Sequence, residues 1–524
     1  MQMRASGKAW AVATPHTLAT EAAATAFERG GNAIDAALAA ATTLAVVYPH
    51  MCGVGGDLFA LVQHQAGDVV AINASGRAPA SIDADAVAAV HASMPEHGPF
   101  SVTVPGAVSG WEALHRQGAN LSWADAFTAA VAFAHGGVHV AASLAGSLEE
   151  DARRLRADVG LAEVFFPGGA PAALCARVRQ PALASTLQAI AEQGPEVWYG
   201  GVVGARYAEG LRALGVPIDL ADMAGHRAEL GTPLRARYGD VDVLVPPPTS
   251  QGFVLLEVLS VLERLGIDPD PFGSDAGTLA HVLRAAARDR DRHLADGDRM
   301  TVHPSTLLDD GHLGAVADEV RAGVPGPAPS LSPRSGDTIA LVTADAEGRG
   351  VSLIQSLYDG FGSGLLEAST GVIAHSRGAC FTLEAGHPNR LAAGARPAHT
   401  LMPVVVQRDG RLEAVAGTMG GFAQPQIVAM TLIRSLRLGM SPADAVAAPR
   451  WLVGGMDREH GDPSVVAEAD VPASVERALA AAGYRVERLG ERDGSVGHAH
   501  LIHATHDGFE AGSDPRADGG AMAG

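Results

Sequence analysis

Residues 335–364 read Ser335-Gly336-Asp337-Thr338 and then IALVTADAEGRGVSLIQSLYDGFGSG. Positions 338–344 are rich in β-branched and aliphatic types, 345–350 are DAEGRG, and 351–358 return as VSLIQSLY, which is a strand, a turn and a strand. A hairpin folded about Glu347 sets Val342 opposite Ser352, Ala340 opposite Ile354 and Thr338 opposite Ser356, with the side chains of each pair on one face. Two hydroxyls then meet where the first strand begins. A Thr/Ser pair of this kind also occurs in many ordinary sheets, so the residues around it have to decide what it is for.

The segment leading into Thr338 bears on that choice. Residues 323–337, GVPGPAPSLSPRSGD, change composition sharply and have the character of an exposed, flexible linker that holds neither helix nor sheet. A linker that delivers a threonine to the first position of a strand is explained if the chain is cut there. Thr338 then gains a free α-amino group, with an ordinary pKa of about 7.7–8, beside its own hydroxyl. Nucleophile and base reside in one residue. Gly336 supplies the tolerance of strained dihedrals that an N-to-O acyl shift requires. Asp337 and Thr338 are therefore the expected processing pair.

The whole chain sets the bounds. Its 524 residues suffice for two or more domains or one large composite fold, and 47% hydrophobic against 18% charged residues indicates a globular protein. A net charge of −20 argues against nucleic acid or an anionic membrane surface as partner. Lys8 is the only lysine, which removes both a P-loop and an internal Schiff-base lysine. Cys52, Cys175 and Cys380 are far apart and odd in number, so no disulfide framework or CxxC site is indicated. The N-terminal residues lack a continuous apolar core, and the run from Ala36 to Tyr48 is too short to span a bilayer. A soluble cytoplasmic protein is the expectation, either monomeric or a homo-oligomer.

In chain order, Asp35 to Val47 is apolar on almost every face, a helix for the interior of a layered fold, stopped by Pro49. Gly53, Gly55 and Gly56 then allow a tight turn into the buried strand LFALV. Helix, glycines, strand is the wrong order for a dinucleotide site. The strand VVAINA runs into a turn holding Arg77, which suits either an anion clamp for a substrate carboxylate or a plain surface position. From Val104 to about Pro247 Ala-rich helices alternate with turns, with no internal repeat and no GxSxG elbow. The dense charges of Arg288 to Asp298 look like a solvated helix face and not a metal site. His498, His500, His503 and His506 fall in one C-terminal segment, but no carboxylate or cysteine lies beside them at ligand spacing. No metal and no cofactor are expected.

Seven stretches together carry a family resemblance: GGNAIDAALAAATTLAVVYPHMCGVGGDLF, VPGAVSGW, PPPTSQG, GDTIALV with FGSG, ARPAHTLMP, GTMGGFAQPQ and EAGSDPRADGG. In that order, over nearly the whole chain, they resemble the gamma-glutamyltransferase family, and SRGACFTL, GHPN and AQPQ resemble one subgroup of it. The resemblance implies an α+β fold, the αββα four-layer sandwich of N-terminal-nucleophile hydrolases. It implies a proenzyme that cuts itself into a large subunit, 1–337, and a small catalytic subunit, 338–524. Thr338 matches the catalytic threonine, Ser356 the hydroxyl that bonds it, and Gly420 and Gly421 the glycine pair of the oxyanion hole. The glycines run into Gln424-Pro425 and IVAMTLIRSLRLG, so their N–H groups would lie near a helix start.

The departures narrow the substrate. His399 and Thr400 match two serines that hold a substrate carboxylate in transpeptidases, and Thr400 keeps a hydroxyl. Arg377 and Cys380 stand where typical members hold the glutamyl ammonium with an acid or amide and an aspartate, and Tyr358 stands for an asparagine. The clamping arginine aligns with Ser75, two residues before Arg77. An ammonium group would meet a positive charge at Arg377. The resemblance therefore implies hydrolysis of a small amide bearing a carboxylate, γ-glutamyl-like or oxamate-like. A glutathione hydrolase or transpeptidase with a rebuilt pocket, and a non-catalytic relative acting as a binding protein, are the competing readings.

Overall fold

The computed structural model describes residues 2–323, 337–454 and 464–524, with only the backbone at Asp337. The linker expected over 323–337 falls almost wholly outside the described residues, as does the expectation for Gly336. The opening hairpin is present as the strands Asp337–Asp345 and Gly350–Tyr358, with Thr338 opposite Ser356, Ala340 opposite Ile354 and Val342 opposite Ser352. That is the register which alternation about Glu347 requires.

The hairpin lies in the middle of a seven-stranded sheet, flanked by Trp10–Thr14 and 520–523 on one side and by Asp57–Gln63, Val69–Ala74 and 229–231 on the other. A second seven-stranded sheet runs 4–7, 508–513, 499–505, 411–418, 404–408, 241–245, 234–238. Both sheets take strands from before and after Thr338. The chain is accordingly one composite fold, with its two expected subunits interleaved strand by strand.

Alternation assigns the layers. Ile339 and Leu341 face a helical layer that includes Ala33–Val47, while Ala340 and Val342 face the other sheet. Between the sheets, small residues such as Ala11, Ala13, Ala71, Ala344 and Ala511 interleave with larger ones such as Leu61, Leu244, Val405, Ile502 and Phe509. A Cβ on Gly417 would come within 3.1 Å of the Ala340 Cβ, so a larger residue at this crossing would need its neighbours to give by a few tenths of an ångström. On its far side the second sheet is covered by the helices Gly252–Leu265, Ala276–His293, Asp310–Arg321 and Gln424–Leu432. Helix, sheet, sheet, helix is the αββα sandwich, and Thr338 sits at one end of its inter-sheet layer.

The charged run in Ala276–His293 differs from a solvated face. Asp289 and Arg290 are buried, because that helix packs between its two neighbours and its last turns lie under the 421–423 segment. Charge density alone carries no information about which neighbours a helix will meet. Among the described residues no helix is long and apolar enough to cross a membrane.

Candidate active site

Thr338 opens its strand beside an irregularity: Asp337 pairs with Tyr358 but Thr338 with Ser356, so Leu357 is an extra residue in the return strand. Bulges bend a strand locally and re-aim its side chains. Here the bulge falls at the bond expected to be cut. Thr338 Oγ1 lies 2.8 Å from Ser356 Oγ, and both residues are buried. Ser356 Oγ also accepts the Tyr358 N–H at 2.7 Å. Tyr358 holds φ at 81°, a left-handed conformation that is strained for a large side chain and collects at functional sites.

Arg377 supplies the charge. It begins a short 3₁₀ turn, Arg377–Cys380, and is wholly buried, with its guanidinium 4.5 Å from the Tyr358 ring centroid. Its Nη1 donates to Thr400 Oγ1 at 3.0 Å and faces Cys380 Sγ at 3.5 Å, and its Nη2 stands 3.4 Å from Ser356 Oγ. Among the described residues no carboxylate comes within ion-pairing distance of it. A cavity of about 290 Å³ opens on Tyr358, Cys380, Phe422 and Arg290.

Beneath this pair is a buried acid that the sequence reading did not single out. Asp57 pairs with Ser356 across the sheet, and its carboxylate accepts from Gly76 N–H at 3.1 Å and meets His399 Nε2 at 3.1 Å. His399 Nδ1 accepts the Leu401 N–H, which places the imidazole proton on Nε2 and makes it the donor to Asp57. Burial, then the Arg377 charge, push His399 down to about 3, so the ring is neutral. Burial works to raise the Asp57 carboxyl, but His375, His399 and Arg377 together outweigh it and hold it at about 2. Asp57 is thus an ionised counter-charge for Arg377.

Because the folded chain favours the ionised form, this stabilisation is complete above the ordinary carboxylate value of 3.8 and is lost as pH falls towards 2. Asp57→Asn is expected to destabilise the protein by about 3 kcal/mol at neutral pH, by leaving Arg377 without its anion. It should also remove the matching loss between about pH 4 and 2. Urea unfolding at pH 7 with melting curves at acid pH checks both, and an unchanged midpoint at pH 7 would sink the assignment.

Of the residues singled out from the sequence, Thr338, Ser356, Tyr358, Arg377 and Thr400 come together. His399 does not face the same way: both ring nitrogens are engaged inside the protein, by Asp57 and Leu401, so it supports the site from below instead of offering a hydrogen bond to substrate. Arg77 reaches the Gly394 carbonyl at 2.9 Å and stands 3.5 Å from both Asp296 and Glu229. These contacts answer its charge locally.

Gly420 and Gly421 have φ of 142° and 53°, and a Cβ on Gly420 would come within 2.5 Å of Ile427 Cδ1. Gln251 binds this segment to the rest of the site, its Nε2 donating to the carbonyls of Thr400 at 2.8 Å and Gly421 at 2.9 Å. Gln251 lies in the quoted PPPTSQG stretch, yet only the folded chain shows which two carbonyls it joins. The C-terminal histidines are not gathered into a ligand set among the described residues.

The chain matches the protein-family model described as gamma-glutamyltranspeptidase over residues 19–524. It belongs to the gamma-glutamyltranspeptidase family. Within that family the chain is similar to the oxamate amidohydrolase proenzyme of Klebsiella pneumoniae, 36% identical with 97% of each chain covered. It is similar to an acylase proenzyme of a Pseudomonas strain at 32% identity, over 92% of this chain and 88% of that one. Among solved structures, a cephalosporin acylase from Bacillus halodurans superposes with a TM-score of 0.90 at 30% identity, covering 100% of this chain and 97% of the other. This gamma-glutamyltranspeptidase-family chain is an enzyme, an amide hydrolase of the N-terminal-nucleophile type made as a proenzyme.

Proposed function

We propose that this gamma-glutamyltranspeptidase-family enzyme cuts itself between Asp337 and Thr338 into a large subunit, 1–337, and a small subunit, 338–524, and then hydrolyses a small amide that bears a carboxylate close to the scissile bond. The observation that carries the substrate class is Arg377: a wholly buried guanidinium beside the Thr338–Ser356 pair, with hydroxyl partners but no carboxylate of its own in contact. Asp57 answers this charge only from a distance, so the guanidinium has no carboxylate in contact, and a buried cation left in that state at a reaction site favours an anionic ligand. An oxamate-like acid amide fits that requirement most directly, and a γ-glutamyl compound fits it only if its ammonium is held away from Arg377.

In the mature enzyme the Thr338 α-amine, through one bridging water, takes the Oγ1 proton as that oxygen attacks the amide carbonyl. The N–H groups of Gly420 and Gly421 receive the developing oxyanion. Collapse of the tetrahedral adduct breaks the C–N bond, the proton goes to the leaving amine, and an acyl ester remains on Thr338. Water activated by the same amine then cleaves the ester, releasing the acid and restoring the free hydroxyl. Ser356 holds Thr338 Oγ1 in place through both steps. The three cysteines are free thiols, which supports a reducing, cytoplasmic setting.

A panel of oxamate, glutamine and a γ-glutamyl anilide, each given to the processed protein, tests the reading. Ammonia release from oxamate at least about tenfold faster, by kcat/KM, than turnover of either glutamyl compound is the expected result. Equal or greater turnover of the γ-glutamyl anilide would replace it with a glutathione hydrolase.

A further inference from the structure

Away from the hairpin, the three helices Gly252–Leu265, Ala276–His293 and Asp310–Arg321 bring Glu257, Asp289 and His312 to one point. One ligand atom from each lies within 4.8 Å of the other two, and among the described residues no other such cluster occurs. His312 Nε2 is 2.9 Å from Asp289 Oδ2 and 3.5 Å from Glu257 Oε1.

The hydrogen bonding is what sets this cluster apart from a common acidic patch. Glu257 is completely buried, yet neither of its carboxylate oxygens has a hydrogen-bond partner. Asp289 Oδ2 and His312 Nε2, although close, do not meet in hydrogen-bond geometry either. Two buried carboxylates side by side are costly without a cation between them. In the metal-free protein a protonated His312, held charged by Glu257 and Asp289, fills that place while burial pushes the Glu257 carboxyl up to about 7, and a divalent ion would take the place of those protons. Arg288 adds little, since its Nε stands 3.6 Å from the other Asp289 oxygen and its Nη1 pairs with Glu319.

We propose that Glu257, Asp289 and His312 form a binding site for a divalent transition-metal ion, with Zn²⁺ the best match to the donor set. One imidazole nitrogen and two carboxylates are ordinary zinc ligands, and separations of 2.9 and 3.5 Å suit atoms arranged about a single small ion. Calcium, which takes six to eight oxygens, is a poor match. The half-buried His312 side chain gives the ion a route from solvent. A metal here pins Asp310–Arg321, the last described helix before the expected cut, onto the two helices beneath it. The role is structural, separate from the Thr338 chemistry.

Full-length protein dialysed against EDTA and titrated with ZnCl₂ by calorimetry is expected to take up one tight equivalent per chain and to melt at a higher temperature when loaded. Glu257→Gln keeps the shape while removing a buried carboxyl, and His312→Gln alters a half-buried side chain, so both variants should fold. Each is expected to weaken Zn²⁺ binding at least about tenfold and to abolish the melting shift. Zn²⁺ uptake unchanged in both variants, as surface histidines or the exposed Cys175 would give, overturns the proposal, and so does wild-type protein that takes up no Zn²⁺.

Discussion

Thr338→Ala is expected to leave a single 524-residue chain on a denaturing gel, where the wild type gives chains of 337 and 187 residues, and to lower amide hydrolysis by at least about 10⁴-fold. Both losses have one cause. Before the cut the Oγ1 attacks the preceding carbonyl, and after it the same oxygen attacks the substrate, so one methyl in place of CH(OH)CH₃ removes the nucleophile from each reaction. The variant should fold, since Thr338 contributes one hydrogen bond, to Ser356 at 2.8 Å, worth about 1 kcal/mol. Thr338→Ser separates loss of the nucleophile from loss of packing: it keeps the hydroxyl and should restore both cutting and turnover at reduced rates. A Thr338→Ala protein that still yields two chains and still hydrolyses amides would remove Thr338 from the mechanism.

The part of this site legible in the sequence is the part fixed by local rules. A hairpin has period 2, so once its turn was centred on Glu347 the pairing of Thr338 with Ser356 followed by counting. The resemblance then added Arg377 and Thr400, and the fold brings them to the same hydroxyls. The features missed depend on which distant segments meet. Asp57 follows a glycine turn like many strand-opening residues, and its role appears only once the sheet sets it against Ser356 and His399. Arg77 lies two residues from the aligned clamp position, but Asp296 and Glu229, far along the chain, surround its guanidinium. Asp289 had the composition of a surface charge and the environment of a buried one, since the helices that cover it lie outside any local window.

Arg377→Gln is expected to lower kcat/KM for the carboxylate-bearing amide by about 10²- to 10³-fold while lowering it less than about tenfold for the methyl ester of the same compound. Glutamine ends two bonds short of the terminal guanidinium nitrogens, so the Thr400 bond is lost together with the charge. The ester control is needed because Arg377 also balances Asp57, and its removal should disturb the ground below the nucleophile for every substrate alike. The ratio of the two losses isolates recognition of the substrate carboxylate from that shared effect. Arg377→Lys keeps a positive charge but gives up the planar stack on Tyr358 and the fork to Thr400 and Ser356, so it should recover only part of the ratio. Equal losses on acid and ester would mean that Arg377 organises the site without touching substrate. If the charge does select the ligand, Arg377→Asn combined with Cys380→Asp should move preference towards γ-glutamyl anilides, because an acid then faces the position where an ammonium group was repelled. The two experiments share one physical quantity, the sign of the potential beside Thr338, read once by removing it and once by reversing it.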